Sequence, residues 1–208
     1  MKLTWLGHAS FILETAAGTR IVTDPYSQDI LRHTAPKADI VTISHEHHDH
    51  NDLSTLPQYG EVLRGAKEWE SSDIFIHGHA CWHDNENGKK RGPNTVFIFE
   101  ADGLKIAHLG DLGEPLTPEL REALTGLDAL LLPVGGVYTI DGEQASAVVR
   151  ELKPRYAVPM HYSLPGHSMQ VLDDGSLFLR SLDRDISVSH AASLSFTEPE
   201  GVIVLENQ

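Results

Sequence analysis

The stretch Ser44-His45-Glu46-His47-His48-Asp49-His50 places four histidines and an aspartate within seven residues, directly after Ala38-Asp39-Ile40-Val41-Thr42-Ile43. That preceding run is β-branched and bounded by Pro36, so it predicts a buried strand delivering the histidines at its end. His45 and His47 are two apart and point to one side of an extended backbone. Asp49 and His50 come where the chain turns, toward a second site close to the first. Asn51-Asp52 followed by Leu53 predicts a helix cap and a helix beyond it. Imidazoles with one hard carboxylate suit zinc, and iron or manganese less securely. The H-E-x-x-H zinc-protease pattern fails, because it needs histidine where Asp49 stands.

Working outward, 13 histidines are present, and His77, His79 and His83 follow the first cluster. The cluster is internal, so it is no terminal tag. His77, His79 and His83 share one face of a continued strand, and spacing alone does not choose a third ligand among them. Leu3 to Leu6, Phe11 to Glu14 and Arg20 to Thr23 read as strands, the last ending at Asp24-Pro25. Val96 to Glu100, the turn Asp102-Gly103, Lys105 to Ala107 ending at Asp111, and Leu127 to Pro133 repeat that order. Gly142 to Leu152 reads as a helix, with Ala145, Val148, Val149 and Leu152 on one face, and Tyr156 to Met160 as a strand ending at His161. Two pseudo-repeated halves, about 1–93 and 94–208, are therefore expected to pack as one domain spanning 1–208. The architecture expected is α/β: a four-layer αβ/βα sandwich of two mixed sheets with helices outside. His161, Asp111 and Asp24 each end an apolar strand, which collects them on one rim.

Composition narrows the function. The 208 residues carry 30 acidic against 16 basic side chains, a formal charge of −14, which argues against nucleic acid and anionic membranes as partners. No apolar run approaches the length of a membrane span. The single cysteine, Cys81, excludes an internal disulfide framework and fits a reducing, cytoplasmic setting. It reads as a small buried residue rather than a nucleophile.

Taken in order, Trp5-Leu6-Gly7-His8-Ala9-Ser10, Thr23-Asp24-Pro25, the His45–His50 motif, Trp82-His83-Asp84, Arg91-Gly92-Pro93-Asn94-Thr95, His108-Leu109-Gly110-Asp111, Pro133-Val134-Gly135-Gly136 and Pro159-Met160-His161-Tyr162 resemble the metallo-β-lactamase-fold hydrolases. The likeness is greatest to the small bacterial metal-dependent hydrolases grouped with ascorbate-phosphate-lactonase-like proteins. This resemblance implies that His45, His47 and, among the three candidates, His83 hold one divalent ion. It implies that Asp49, His50 and His161 hold a second, that Asp111 bridges the two, and that Asp24 supports the site from behind its ligands. Arg91 and Asn94 are the candidate substrate contacts. His8 fits no ligand spacing; it follows Gly7 at a strand end and is expected to bind the substrate or protonate the leaving group. His48 is expected outside the ligand set, His108 beside it, and His33, His167 and His190 at the surface.

Two such ions, most readily Zn2+ with Mn2+ or Fe as alternatives, would turn a shared water into hydroxide near neutral pH, with Asp49 orienting it. The reaction expected is cleavage of a small ester, lactone or phosphoester. An anionic substrate is compatible with the acidic chain, because bound metals reverse the local field, and a homo-oligomer is compatible too. A mononuclear-iron dioxygenase on the same fold and a phosphodiesterase or nuclease are the alternatives. A flavodiiron enzyme would carry glutamate in place of His47, and a nuclease would be expected to carry a basic arm. A non-catalytic metal-binding protein is the reading from a different class.

Overall fold

The computed structural model describes residues 1–207. The strands are β1 (Lys2–Gly7), β2 (Ser10–Glu14), β3 (Arg20–Thr23), β4 (Ala38–Ile43), β5 (Tyr59–Arg64), β6 (Glu68–Glu70), β7 (Phe75–Trp82), β8 (Pro93–Ala101), β9 (Leu104–His108), β10 (Ala129–Pro133), β11 (Tyr156–Met160), β12 (Val188–Ala191) and β13 (Gly201–Leu205). The helices are α1 (Pro118–Ala123), α2 (Gly142–Leu152) and α3 (Ser176–Ser181). Strands β1 to β5 form one sheet in sequential order; the other runs β12-β13-β11-β10-β9-β8-β7-β6. Both sheets are mixed, as expected. From β1 to β5 the pairings are antiparallel, antiparallel, parallel and parallel, and from β7 to β11 the same senses recur.

Alternation along the strands decides which side chains meet between the sheets. Trp5, Phe11, Ile21 and Ile40 of the first sheet share a buried cluster with Phe97, Phe99, Ile106 and Leu130 of the second. The next residues along, Leu6, Val22 and Val41, face the other way and form a separate cluster with Ala35, Leu53 and Leu56.

The helix expected after Asn51-Asp52 is a single 3-10 turn, Leu53–Thr55. Asp52 does cap it, accepting from the Ser54 amide at 3.0 Å. Pro57 then disfavours helical backbone at Leu56, which is extended at φ −88° and ψ 125°. The outward face of the first sheet is thus closed by a turn and loops, and all three α-helices of the described residues lie after Thr117. Helix α2 matches its expected bounds: an Asp141–Gln144 capping box starts it and left-handed Lys153, before Pro154, ends it.

Candidate metal centre

The ends of β1, β3, β4, β7, β9 and β11 deliver His8, Asp24, His45, His83, Asp111 and His161 to one rim. Three of these residues hold left-handed backbone although none is glycine: His8 (φ 50°), Asp24 (φ 38°) and His161 (φ 55°). Such conformations cost roughly 1–3 kcal/mol each and persist only where neighbours enforce them. Here they are enforced. The His8 carbonyl accepts from the His161 amide at 3.0 Å and from the Trp5 indole at 3.1 Å, and the Asp24 amide donates to the Thr42 carbonyl at 2.8 Å. Gly110, at φ +53°, lets the Asp111 turn press on Ser44; a Cβ there would lie 2.6 Å from that of Ser44 and 2.4 Å from Asn94 Oδ1.

Two groups of potential ligands face each other. His45, His47 and His83 bring one nitrogen each to within 4.8 Å of one another. His77 and His79 stand apart: His77 lies beside Glu68 and Glu100, and six residues of strand carry the chain roughly 20 Å further to His83. Asp49, His50 and His161 form the second group, which also includes His8. Asp111 lies between the groups, its Oδ2 at 3.1 Å from His83 Nε2 and 3.2 Å from His161 Nε2, its Oδ1 at 3.4 Å from His50 Nε2.

Asp24 stands behind both groups. Its Oδ2 is 2.9 Å from His50 Nδ1 and accepts from the Ser44 hydroxyl at 2.6 Å, while Oδ1 accepts from the Ser44 amide at 2.7 Å. Since the hydroxyl proton of Ser44 is given to Asp24, its oxygen accepts from His45 Nδ1 at 2.9 Å. Both imidazoles therefore carry their proton on Nδ1 and turn Nε2 inward, the tautomer a metal requires.

The electrostatics suit cations brought from solvent. Three carboxylates, Asp24, Asp49 and Asp111, are buried on this rim. Burial favours their neutral forms, but His50 beside Asp24, His8 and His50 beside Asp49, and His161 and His50 beside Asp111 hold all three below the usual range. Burial, reinforced by His50, pushes His45 down to about 3. His50 runs the other way: burial lowers it, yet Asp111 and Asp24 outweigh burial and raise it well above normal. A proton on His50 thus balances charge that a metal would otherwise balance. His45 Nε2, His50 Nε2, Asp111 Oδ1 and both nitrogens of His161 are buried without a hydrogen-bond partner. Buried polar atoms left unpaired by the chain, converging from two imidazole groups on one carboxylate, fit divalent cation binding.

A cleft of about 330 Å3 opens over this rim, lined by His47, Asp49, His83, Arg91, Tyr138 and Met169 among others. Arg91 spans its edge, donating to the Val137 carbonyl at 3.1 Å with its guanidinium over the Tyr138 ring. No carboxylate pairs with it among the described residues. Asn94 departs from expectation. It is buried, donates to Leu109 O at 2.9 Å and Cys81 Sγ at 3.1 Å, and accepts from the Asp111 amide at 3.0 Å, so it holds the Asp111 turn instead of facing the cleft. His8 departs too. It is wholly enclosed, its nitrogens 3.2 Å from Asp49 Oδ2 and 3.1 Å from His167 Nε2, so both already have partners within the chain. His167, expected at the surface, is buried. Nothing in its spacing signalled this, whereas Ser44, beside His45, is a short hydroxyl residue the motif itself exposes. Burial pushes the Cys81 thiol up to about 12, leaving it inert. A larger cavity of about 530 Å3 lies away from this rim beside Lys153, Arg155 and Glu200, where Arg155 is already paired with Asp128 and Glu200.

The family model of the β-lactamase superfamily domain matches residues 2–161, ending on the last candidate ligand. The chain belongs to this superfamily, among its metal-dependent hydrolases. A metal-dependent hydrolase of Methanoculleus marisnigri is 31% identical over 212 residues, covering 90% of this chain and 91% of its own length. One of Pelotomaculum thermopropionicum is 30% identical over 197 residues, covering 78% and 85%. A Thermotoga maritima structure, described as a candidate Zn-dependent hydrolase of the metallo-β-lactamase superfamily, superposes with a TM-score of 0.80 at 34% identity over 100% of this chain and 99% of its own. Among the described residues of this superfamily member, no helix is long and apolar enough to cross a membrane.

Proposed function

We propose that this metal-dependent hydrolase works with two divalent cations, most readily Zn2+, on a small anionic ester, lactone or phosphoester. The observation that carries it is Asp111, whose carboxylate lies within 3.4 Å of imidazoles from both groups. His45, His47 and His83 would hold one cation, Asp49, His50 and His161 the other, with Asp111 shared. Bound there, the cations would supply Lewis acidity and a water acidic enough to ionise near neutral pH. Asp49, which lines the cleft, would orient that water and accept its proton. Arg91 has donors to spare at the cleft edge and would bind a carboxylate or phosphate of the substrate. A cleft of about 330 Å3 is at the small end for ligand sites, which favours a compact substrate.

The test is metal content by mass spectrometry alongside turnover of lactones and phosphodiesters. Two equivalents of zinc with turnover of a small substrate are expected, and Asp111→Ala should empty both sites. Loss at one site only removes the shared carboxylate. One equivalent of iron with oxygen consumption replaces this reading by the dioxygenase. Arg91→Ala should raise KM for anionic substrates by about tenfold or more and leave neutral esters alone; an equal effect on both removes its role.

A further inference from the structure

The second ligand group has an ambiguity: His8 lies with Asp49, His50 and His161 close enough to be a fourth ligand. We propose that His167, oriented by the Met169 backbone amide, fixes His8 as the Nε2–H tautomer, so that His8 positions the Asp49 carboxylate and is not itself a metal ligand.

Proton accounting decides between the two roles. The Met169 amide donates to His167 Nδ1 at 3.0 Å, so that nitrogen carries a lone pair and the neutral ring has its proton on Nε2. That proton faces His8 Nδ1 at 3.1 Å, which must accept it. The one proton of neutral His8 is then on Nε2, 3.2 Å from Asp49 Oδ2. A protonated ring nitrogen has no lone pair for a metal, but it donates well to a carboxylate. The bonds themselves keep both rings neutral: each ring accepts a hydrogen bond at Nδ1, so neither can carry a second proton.

The chain of bonds is held at both ends. His8 is enforced in its left-handed backbone as described, and Tyr26 stands edge-on to its ring at 5.8 Å. At the other end, Ser168 donates its amide to the Ile30 carbonyl at 2.8 Å, docking the loop beyond β11. Met169, which sets the tautomer through its amide, also lines the cleft. One loop therefore contacts the substrate space and, through two imidazoles, orients Asp49. His167 and Met169 both lie beyond the residues 2–161 matched to the family domain.

The role given to Asp49 rests on the dinuclear reading; the tautomers do not. Long-range 1H–15N spectra of zinc-loaded protein should show His8 protonated at Nε2 and bare at Nδ1. A bare Nε2, as in a metal-bound ring, overturns the proposal. His167→Leu removes the donor and should populate the other His8 tautomer and lower kcat roughly 10–100-fold, the range for residues that orient ligands. His167→Gln keeps an N–H near the Nε2 position and should restore both. An unchanged His8 spectrum in His167→Leu, or failure of His167→Gln to restore it, also overturns the proposal. Zinc content is measured in each sample. Absence of turnover with the expected tautomer present would remove the dinuclear reading and the role of Asp49 and leave the tautomer assignment standing.

Discussion

At the scale of single residues, the site is organised by what stands behind the ligands. Asp24 reaches His50 directly and His45 through the Ser44 hydroxyl, so two imidazoles in different ligand groups are oriented by one carboxylate. Those routes can be separated. Ser44→Ala removes the acceptor of His45 Nδ1 and leaves the contact between Asp24 and His50 intact. Zinc affinity at the first site should fall roughly 10–100-fold while the second changes little, read by competition with a chelating dye. Equal weakening of both sites would show that Ser44 supports the whole rim and not His45 alone. The histidines and aspartates that the fold gathers on this rim were legible in the sequence because metal chemistry favours imidazole and carboxylate at such spacings. His167 was not, because its role depends on a loop docked against Ile30, and Asn94 was misread because only the fold reveals that its amide is consumed by Asp111, Leu109 and Cys81.

At the scale of elements, legibility followed whether a segment carried its own stop signals. Helix α2 does: Asp141 begins it through a reciprocal bond with Gln144, at 2.9 Å in each direction, and Lys153-Pro154 ends it. Its bounds could be read directly. The segment after Asp52 carries a good cap but follows it with Ser54, Thr55 and Pro57, and the proline overrode the cap. Strand ends were legible for the same reason, since Asp24-Pro25 and the His45 cluster cannot continue an apolar run. The cap of α2 has a measurable consequence. Asp141→Ala should cost about 1 kcal/mol, read as a lower urea midpoint at unchanged slope. Zinc content should not change, because the capping box lies outside the ligand groups. A loss of zinc would mean that α2 holds the neighbouring Gly135-Gly136 turn, and through it His161, in place.

At the scale of the whole molecule, the rim concentrates buried charge that the folded chain cannot balance alone, and this sets how stability should depend on pH. In metal-free protein, His8 is held at about 3 by burial, and burial likewise lowers His108 and His167. Unfolded, each binds a proton near its ordinary value of ~6.5. Between ~6.5 and about 3 the unfolded chain therefore holds more protons, and stability must fall as pH falls. His50 opposes this. Its raised value contributes stability present below ~6.5 and lost as pH rises through its folded value. His45 and His47 are lowered and join the larger group, so the balance favours acid destabilisation. The Tm of chelator-treated protein should thus decline from pH 7 to pH 4.5. Zinc-loaded protein should start higher and lose its advantage over the same range, because ligand imidazoles release metal as they take up protons. A Tm of metal-free protein that is flat or rising toward pH 4.5 would mean that these rings are already charged when folded. The rim would then be balanced by its own protons, and the physical argument for cations at Asp111 would lose its basis.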